Sequence, residues 1–335
     1  MTQTNPHPAR PARVRTLEYA SPGLVRRLTR FREFMILAII LAAAIGMTIA
    51  SPRFLTLGNM RNLLLSLSNE SIVAIGMTVL MVAGGFDLSV GSTFALAGAV
   101  TACALASGIP VPVSVAIGLA LGAAIGLANG LIIAKLKINA FVTTLAMMGI
   151  VRGVLLVVIG SGGITDLPAS FEAIGQRNFL GVQSPTWIAA ILVVLGDLAL
   201  RKSRFFRQSY YIGGNEKAAI LSGIPVDRVK IFNYALTGLL AALAGIVMTA
   251  RLGAASATAG TGLELQVISA VIIGGASLQG GEGSVLGSFL GSLLMGIIVG
   301  SLTLLNVDPN WNALVIGAAL LLAVVLDRLG KMRGA

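Results

Sequence analysis

The stretch "LSVGSTFALAGAVTACALASGIPVPVSVAIGLALGAAIGLANGLIIA", residues 88 to 134, contains no Asp, Glu, Lys or Arg. A spanning helix needs roughly 20 mostly apolar residues. The run is therefore long enough for two crossings, with a turn at Gly108 to Pro112, where glycine and two prolines interrupt it. Residues 34 to 52 are likewise uncharged, and several later stretches are nearly so. Splitting the chain at charges, prolines and glycine-rich turns gives ten candidate spans: 34–51, 70–86, 88–107, 111–134, 139–160, 185–200, 231–250, 264–278, 284–304 and 311–326. The expected fold class is all-α, a polytopic membrane bundle of about ten helices.

Composition agrees. Of 335 residues, 56% are hydrophobic and only 11% charged, and the mean hydropathy is +0.91. These values exclude an ordinary soluble domain. The net charge of +11 could suggest nucleic acid, but the basic residues lie at the edges of apolar runs. Aromatic residues, at 5%, are too few for base stacking, so no nucleic-acid partner is expected. Cys103 and His7 are the only residues of their types. No disulfide framework, metal site or cofactor is expected from them.

The charges orient the chain. With a cytoplasmic N-terminus, 19 Lys and Arg fall in cytoplasmic segments and four outside: Arg53, Arg61, Arg177 and Arg251. This positive-inside bias supports an even span count and cytoplasmic termini. The domain plan is a basic tail (1–33), a spanning region (34–327) holding a cytoplasmic loop (201–230), and a short basic tail (328–335). The first helix is expected to be retained. Its basic flank is too long for a signal peptide, and Thr48 and Ala50 make a poor cleavage site.

Two stretches look alike: "LMVAGGFDLSVGSTFALAGA" (80–99) and "AVIIGGASLQGGEGSVLGSFLG" (270–291). They pair Gly84 and Gly85 with Gly274 and Gly275, and Asp87 with Ser277, as an internal repeat would. In the first, Gly85, Asp87, Ser89 and Gly91 read as a turn leading into a helix, with Asp87 placed to cap it. How deep in the bundle that turn sits is open at this point. Gly118, Gly122, Gly126 and Gly130 recur every fourth residue, which places them on one helix face. Close helix packing or a subunit contact is the expectation, and a smooth pathway wall the alternative.

Residues 201–230 form the most polar internal segment. Asn215 can cap a helix over Glu216–Ser222, Gly223 can end it in the left-handed conformation, and Pro225 prevents its continuation. Small and apolar residues on a helix beyond the membrane call for a cover, either a peripheral protein or the bundle's own ends.

"GGNEKAAILSGIPVDRVK" (213–230) resembles the cytoplasmic loop of ABC-type sugar importer permeases of the ribose and xylose class. Gly213, Asn215, Ala218, Ala219, Ser222, Gly223, Ile224 and Lys230 match its pattern. "GGFDLSVGS" (84–92), "NAFVTTLAMMGIVRG" (139–153) and "GGASLQGGEGSVLGSFLG" (274–291) are similar to further segments of that family. Ala146 departs, standing where the family has Gly. The resemblance implies a multi-pass bacterial inner-membrane subunit in contact with lipid, paired with a second permease chain as a homodimer. It implies two ATP-binding subunits or a fused double ATPase below, and an extracytoplasmic sugar-binding protein outside. In that family the short loop helix contacts the ATPase, so Gly213, Asn215, Ala218, Ala219, Ser222, Gly223 and Ile224 are the implied coupling contacts. ATP hydrolysis would occur elsewhere, because Gly330–Lys331 lacks both the earlier Gly and the following hydroxyl of a phosphate loop.

Ionisable residues near the membrane are candidates for the pathway or its gate. Arg152 falls inside a span and reads as snorkelling outward or lining the pathway. Asn69 and Glu70, like Glu264 and Gln266, read as the outer starts of spans, where their side chains could meet sugar hydroxyls or simply cap helices. The rival functions are an ABC permease for a branched-chain amino acid or nucleoside, and an ion-coupled carrier. The carrier would need a mid-membrane carboxylate, and the predicted spans place acids only at their ends.

Overall fold

In lipid the backbone must satisfy its own N–H and C=O groups, and helices do so within one segment. The computed structural model describes residues 22–160, 163–308 and 310–333, and they are overwhelmingly helical. In chain order the helices are α1 (Pro22–Ala50), α2 (Leu57–Val82), α3 (Val90–Ala106), α4 (Val111–Lys135) and α5 (Ala140–Ile159). There follow α6 (Ala169–Gln176), α7 (Ser184–Lys202), α8 (Arg204–Gly214), α9 (Glu216–Leu221) and α10 (Val226–Leu252). The last three are α11 (Leu263–Ile273), α12 (Val285–Leu304) and α13 (Trp311–Arg333). Among the described residues six helices are long and apolar enough to cross a membrane: α2, α4, α5, α7, α10 and α12. Shorter apolar stretches in α1, α3, α11 and α13 complete the ten expected positions. The protein is an all-α polytopic membrane bundle. Residues 1–21 of the basic tail, with His7, and the last two residues of the C-terminal tail lie outside the described residues.

α2 and α10 form the centre. From Ser68 to Val82 every residue of α2 is buried. One core lies between α2, α7, α10 and α11, with Ile72, Met77, Val193, Leu240 and Val271. A second joins α3, α5 and α10 through Leu96, Leu155 and Ile246. α1 packs Ile36 and Ile40 against Leu294 and Ile297 of α12, while Ile39, Leu41, Ile45 and Ile49 face outward as lipid-facing residues should. Three glycines of α4 lie on α10 and Gly118 lies chiefly on Thr101 of α3: a Cβ at Gly122 would come within 2.5 Å of the Gly238 carbonyl, and one at Gly126 would overlap the Tyr234 carbonyl. This face is a packing surface, and the pathway-wall alternative does not apply to it.

Two expected boundaries are corrected. The span read as starting at residue 70 begins at Leu57, with Thr56 as N-cap accepting from the Asn59 N–H. The polar stretch before Glu70 looked like loop because its hydrogen-bonding groups seemed to need water; within the bundle, protein groups serve several of them. The span expected at 264–278 is an eleven-residue half-helix, α11. At 1.5 Å per residue it covers about 16 Å, roughly half of the apolar layer. The segment 253–262 supplies the rest by folding back from α10 until Gly260 touches Gly91 and Phe94 in the first turns of α3. On the same side as that segment's origin, α6 and a hairpin were not foreseen. The hairpin pairs Asn178 with Gln183 and Phe179 with Val182 around Leu180 and Gly181, both with positive φ. Such two-residue turns match the strand twist.

Candidate functional site

At the basic end α8 leads into α9 through Asn215 alone. Asn215 is extended (φ −160°, ψ 100°), and its Oδ1 accepts the Ala218 N–H at 3.0 Å. Gly223 (φ +80°) ends α9 with two bonds, Gly223 N–H to Ile220 C=O and Ile224 N–H to Ala219 C=O. That pair is a Schellman ending, which favours glycine in the left-handed position. Lys230 Nζ reaches Glu216 Oε2 at 2.8 Å and ties α9 to α10.

Burial sorts the expected contact residues. Ala219 is 3% exposed and packs with Ile212, Val226, Val229 and Ile224, and Gly213 is wedged against the Val82 carbonyl and Gly280. Both were expected on the docking surface, and the structure turns them inward. Asn215, Ala218, Ser222 and Gly223 are exposed, and Ile220 and Leu221, at 56% and 89%, are the apolar residues presented outward. Both belong to the apolar surface that the sequence marks as needing a cover, but neither is among the implied coupling contacts, because the family pattern leaves these two positions unspecified.

The turn at 83–89 runs from the exposed Gly84 into the bundle, where Asp87 is 1% exposed and Ser89 0%. Ser89, not Asp87, occupies the N-cap of α3. Asp87 stands two residues earlier, and its Oδ1 accepts the Ser89 N–H at 2.7 Å and the Ser89 hydroxyl at 2.6 Å. Asn129 of α4 donates to Asp87 Oδ2 at 3.2 Å and to Ser89 Oγ at 3.0 Å, and Tyr234 of α10 donates to the Phe86 carbonyl. The carboxylate thus anchors the break to α4. Asn129 was also missed, although it is the one carboxamide in the uncharged run from 88 to 134.

The repeat-like turn at 274–283 shares the local chemistry. Gly84 and Gly275 take the same place, each donating to the residue three before it, and the next residue donates to the one five before. Both glycines have positive φ, 77° and 96°. Ser277 Oγ accepts the Gln279 N–H, as Asp87 accepts that of Ser89. The glycine equivalence is Gly84 with Gly275, one residue off the pairing read from sequence, whereas Asp87 with Ser277 holds. Tyr210 of α8 donates to the Gly283 carbonyl at 2.8 Å, and burial raises its phenol pKa, which keeps it a donor.

The five pathway candidates form two groups. Glu70 lies midway along α2, 2% exposed, and its Oε2 accepts from Gln266 Nε2 at 2.7 Å. Asn69 donates to the Met248 sulfur at 3.2 Å. The outer-start reading of Glu70 is therefore corrected, and with it the premise that acids occur only at span ends. In the second group, Arg152 Nη1 donates to the carbonyls of Ala257 (3.0 Å) and Ala259 (2.9 Å). Those carbonyls belong to the folded-back segment 253–262, whose unwound backbone has no helical partners to offer. Arg152 supplies them instead of reaching for the surface. Glu264 follows in α11, with its carboxylate against Gly91 in the first turn of α3. The first residues of its helix are half-buried or exposed.

Six membrane-length apolar helices with four shorter ones among the described residues, broken helices that meet inside the bundle, and a short capped helix at its basic end define a membrane permease subunit. The chain belongs to the family described as branched-chain amino acid transport system / permease component, which it matches over residues 59–324. It is 42% identical over 308 residues to the ribose import permease protein RbsC of Bacillus subtilis, covering 91% of this chain and 94% of that one. It is 40% identical over 296 residues to the L-arabinose transport system permease protein AraH of Escherichia coli K12, covering 88% and 90%. It is 35% identical over 329 residues to the L-arabinose ABC transporter permease protein AraH of Azospirillum brasilense, covering 97% and 94%. No solved structure matches the chain.

Proposed function

We propose that this chain is the membrane-spanning subunit of an ABC importer that carries a monosaccharide, a pentose or a close relative, into the cytoplasm. The observation that carries the reading is the similarity, over about nine-tenths of the chain, to permeases named for ribose and arabinose. The exposed α9 adds a physical reason, because Ile220 and Leu221 need a protein surface to cover them. In this reading the chain works in the bacterial inner membrane with a second copy of itself. Two ATP-binding subunits, or one fused double ATPase, seat the α9 helices, and an extracytoplasmic binding protein delivers the sugar. In this reading ATP is bound and hydrolysed by those subunits.

ATP binding closes the ATPase pair and moves both α9 helices. A ligand shifts a conformational equilibrium only by its differential affinity for the two states. The ATPase must therefore hold α9 differently when closed, and the sugar-loaded binding protein must favour the same state from outside. In this reading the half-buried Arg152, Glu264 and Gln266 line the pathway, and the buried Asn69 and Glu70 brace the helices behind them.

The test is uptake by the complete complex in vesicles, with internal ATP and external binding protein, using labelled ribose, arabinose and leucine. ATP-dependent pentose uptake is expected. Leucine uptake without pentose uptake would overturn the substrate class. Uptake driven by a proton gradient without ATP would overturn the importer reading altogether.

A further inference from the structure

The glycine preceding α9 lies where three stretches of backbone touch with no side chain between them. A Cβ on Gly213 would overlap the carbonyl oxygen of Val82, in the last turn of α2, and come within 3.0 Å of Gly280 Cα. A Cβ on Gly280 would meet Gly213 Cα at 2.7 Å and Gly84 N at 2.9 Å. Gly281 donates its N–H to that same Val82 carbonyl at 2.9 Å, which closes the group. The three strands of chain are the end of α2 with its turn into α3, the turn between α11 and α12, and the end of α8. The first two are the repeat-like breaks, and the third bears α9 one residue further on.

We propose that Gly213 is a positioning residue, the mechanical joint through which displacement of α9 is passed to both broken-helix turns at once. The inference rests on the importer reading, and it adds where in this chain the movement enters the membrane region. Side chains at a contact absorb a small displacement by changing rotamer. Backbone packed on backbone cannot, and close-packed interiors transmit strain. Gly84 and Gly280, both at positive φ, sit at the bends where the two turns receive it. From the first bend, movement reaches α3, whose first turn faces Glu264 and Gly260. From the second it reaches α12 and the lower end of α11.

The neighbouring glycine supplies the control. Gly214 lies in the same helix turn, and a Cβ there would meet nothing within 4 Å. In the complete complex, Gly213→Ala is expected to retain the ATPase subunits and ATP hydrolysis. Its sugar uptake per ATP hydrolysed should fall roughly tenfold, within the range usual for a coupling term. Gly214→Ala should match the native chain. Full coupling in Gly213→Ala would overturn the joint, as would loss of the ATPase subunits from that variant. Failure of the native complex to take up sugar with ATP would instead overturn the importer reading.

Should the Gly213→Ala chain not fold, spin-label distances on a native joint decide. Labels are placed at the exposed positions Lys217→Cys and Gln279→Cys, or Lys217→Cys and Leu136→Cys, in a Cys103→Ala background. When a non-hydrolysable ATP analogue binds the complex, the first distance should stay constant while the second changes. A change in the first distance as large as in the second would overturn the proposal.

Discussion

Glu70 occupies a costly position for an acid, buried midway along α2. Its Oε2 takes a hydrogen bond from Gln266, and the Ser292 hydroxyl of α12 stands beside the carboxyl. No basic side chain forms an ion pair with it among the described residues. The role this geometry supports is to join α2 to the half-helix α11, which lacks the length to hold itself across the membrane. Glu70→Gln keeps the shape and one acceptor and is expected to shift stability by less than about 1 kcal/mol. Glu70→Ala strands the Gln266 amide and is expected to cost about 1–3 kcal/mol. Thermal unfolding of the purified complex measures both. Sugar uptake by Glu70→Gln bears on the rival carrier reading, since an ion-coupled mechanism would need the carboxylate. Loss of uptake in a stable Glu70→Gln protein would revive that rival. Arg152 illustrates the same economy, because the cation in the bundle spends its hydrogen bonds on carbonyls that the folded-back chain leaves open.

Between elements, the decisive contact is α4 on α10, where opposing backbones approach through Gly122, Gly126 and Gly130 on one side and Gly238, Tyr234 and Ile231 on the other, while Gly118 packs against the Ala97 carbonyl of α3. Helices in lipid gain little from hydrophobic segregation, so association depends on close packing. Gly122→Val would drive a branched side chain into the Gly238 carbonyl and the Ala242 methyl. The expected loss is about 3 kcal/mol, at the upper end for overpacking, because the obstacle is backbone. It is read as a lower unfolding temperature of the detergent-purified protein, with Gly149→Val, which meets nothing within 4 Å, as the unaffected comparison. The glycine spacing made this contact legible in the sequence, as the Asn215 cap and the Gly223 stop made α9 legible. The start of α2 was not legible, because Asn59, Arg61, Ser68 and Asn69 look like loop until partners such as Thr186 and Met248 from other helices stand beside them. The folded-back segment 253–262 was hidden for a related reason. An unwound stretch inside a bundle has the composition of an ordinary loop, and only tertiary partners such as Arg152 and Gly91 show where it lies.

For the whole molecule, charge supplies what packing does not, namely which end faces the cytoplasm. The bundle has a basic end, carrying Lys135, Lys137, the α8–α9 segment and the start of α10. Part of its charge is tied down, as both lysines pair with Asp227 at 3.0 and 2.9 Å. The opposite end carries α6, the hairpin and few cations. The positive-inside bias then requires α9 to be cytoplasmic and the hairpin to be outside. The proposed importer needs the same placement, because its ATPase would reach α9 only from the cytoplasmic side. Each extra or missing crossing between the hairpin and α9 would place them on one side, so a pair of labels tests the orientation and that part of the span count together. Leu180, 79% exposed at the hairpin tip, and Lys217, exposed on α9, are replaced singly by cysteine in the Cys103→Ala background. A membrane-impermeant maleimide applied to intact spheroplasts is expected to label Leu180→Cys at once and Lys217→Cys only after permeabilisation. Labelling of both positions in intact spheroplasts would remove an odd number of crossings between them. Labelling of Lys217→Cys alone would invert the molecule and leave α9 with no ATPase to meet.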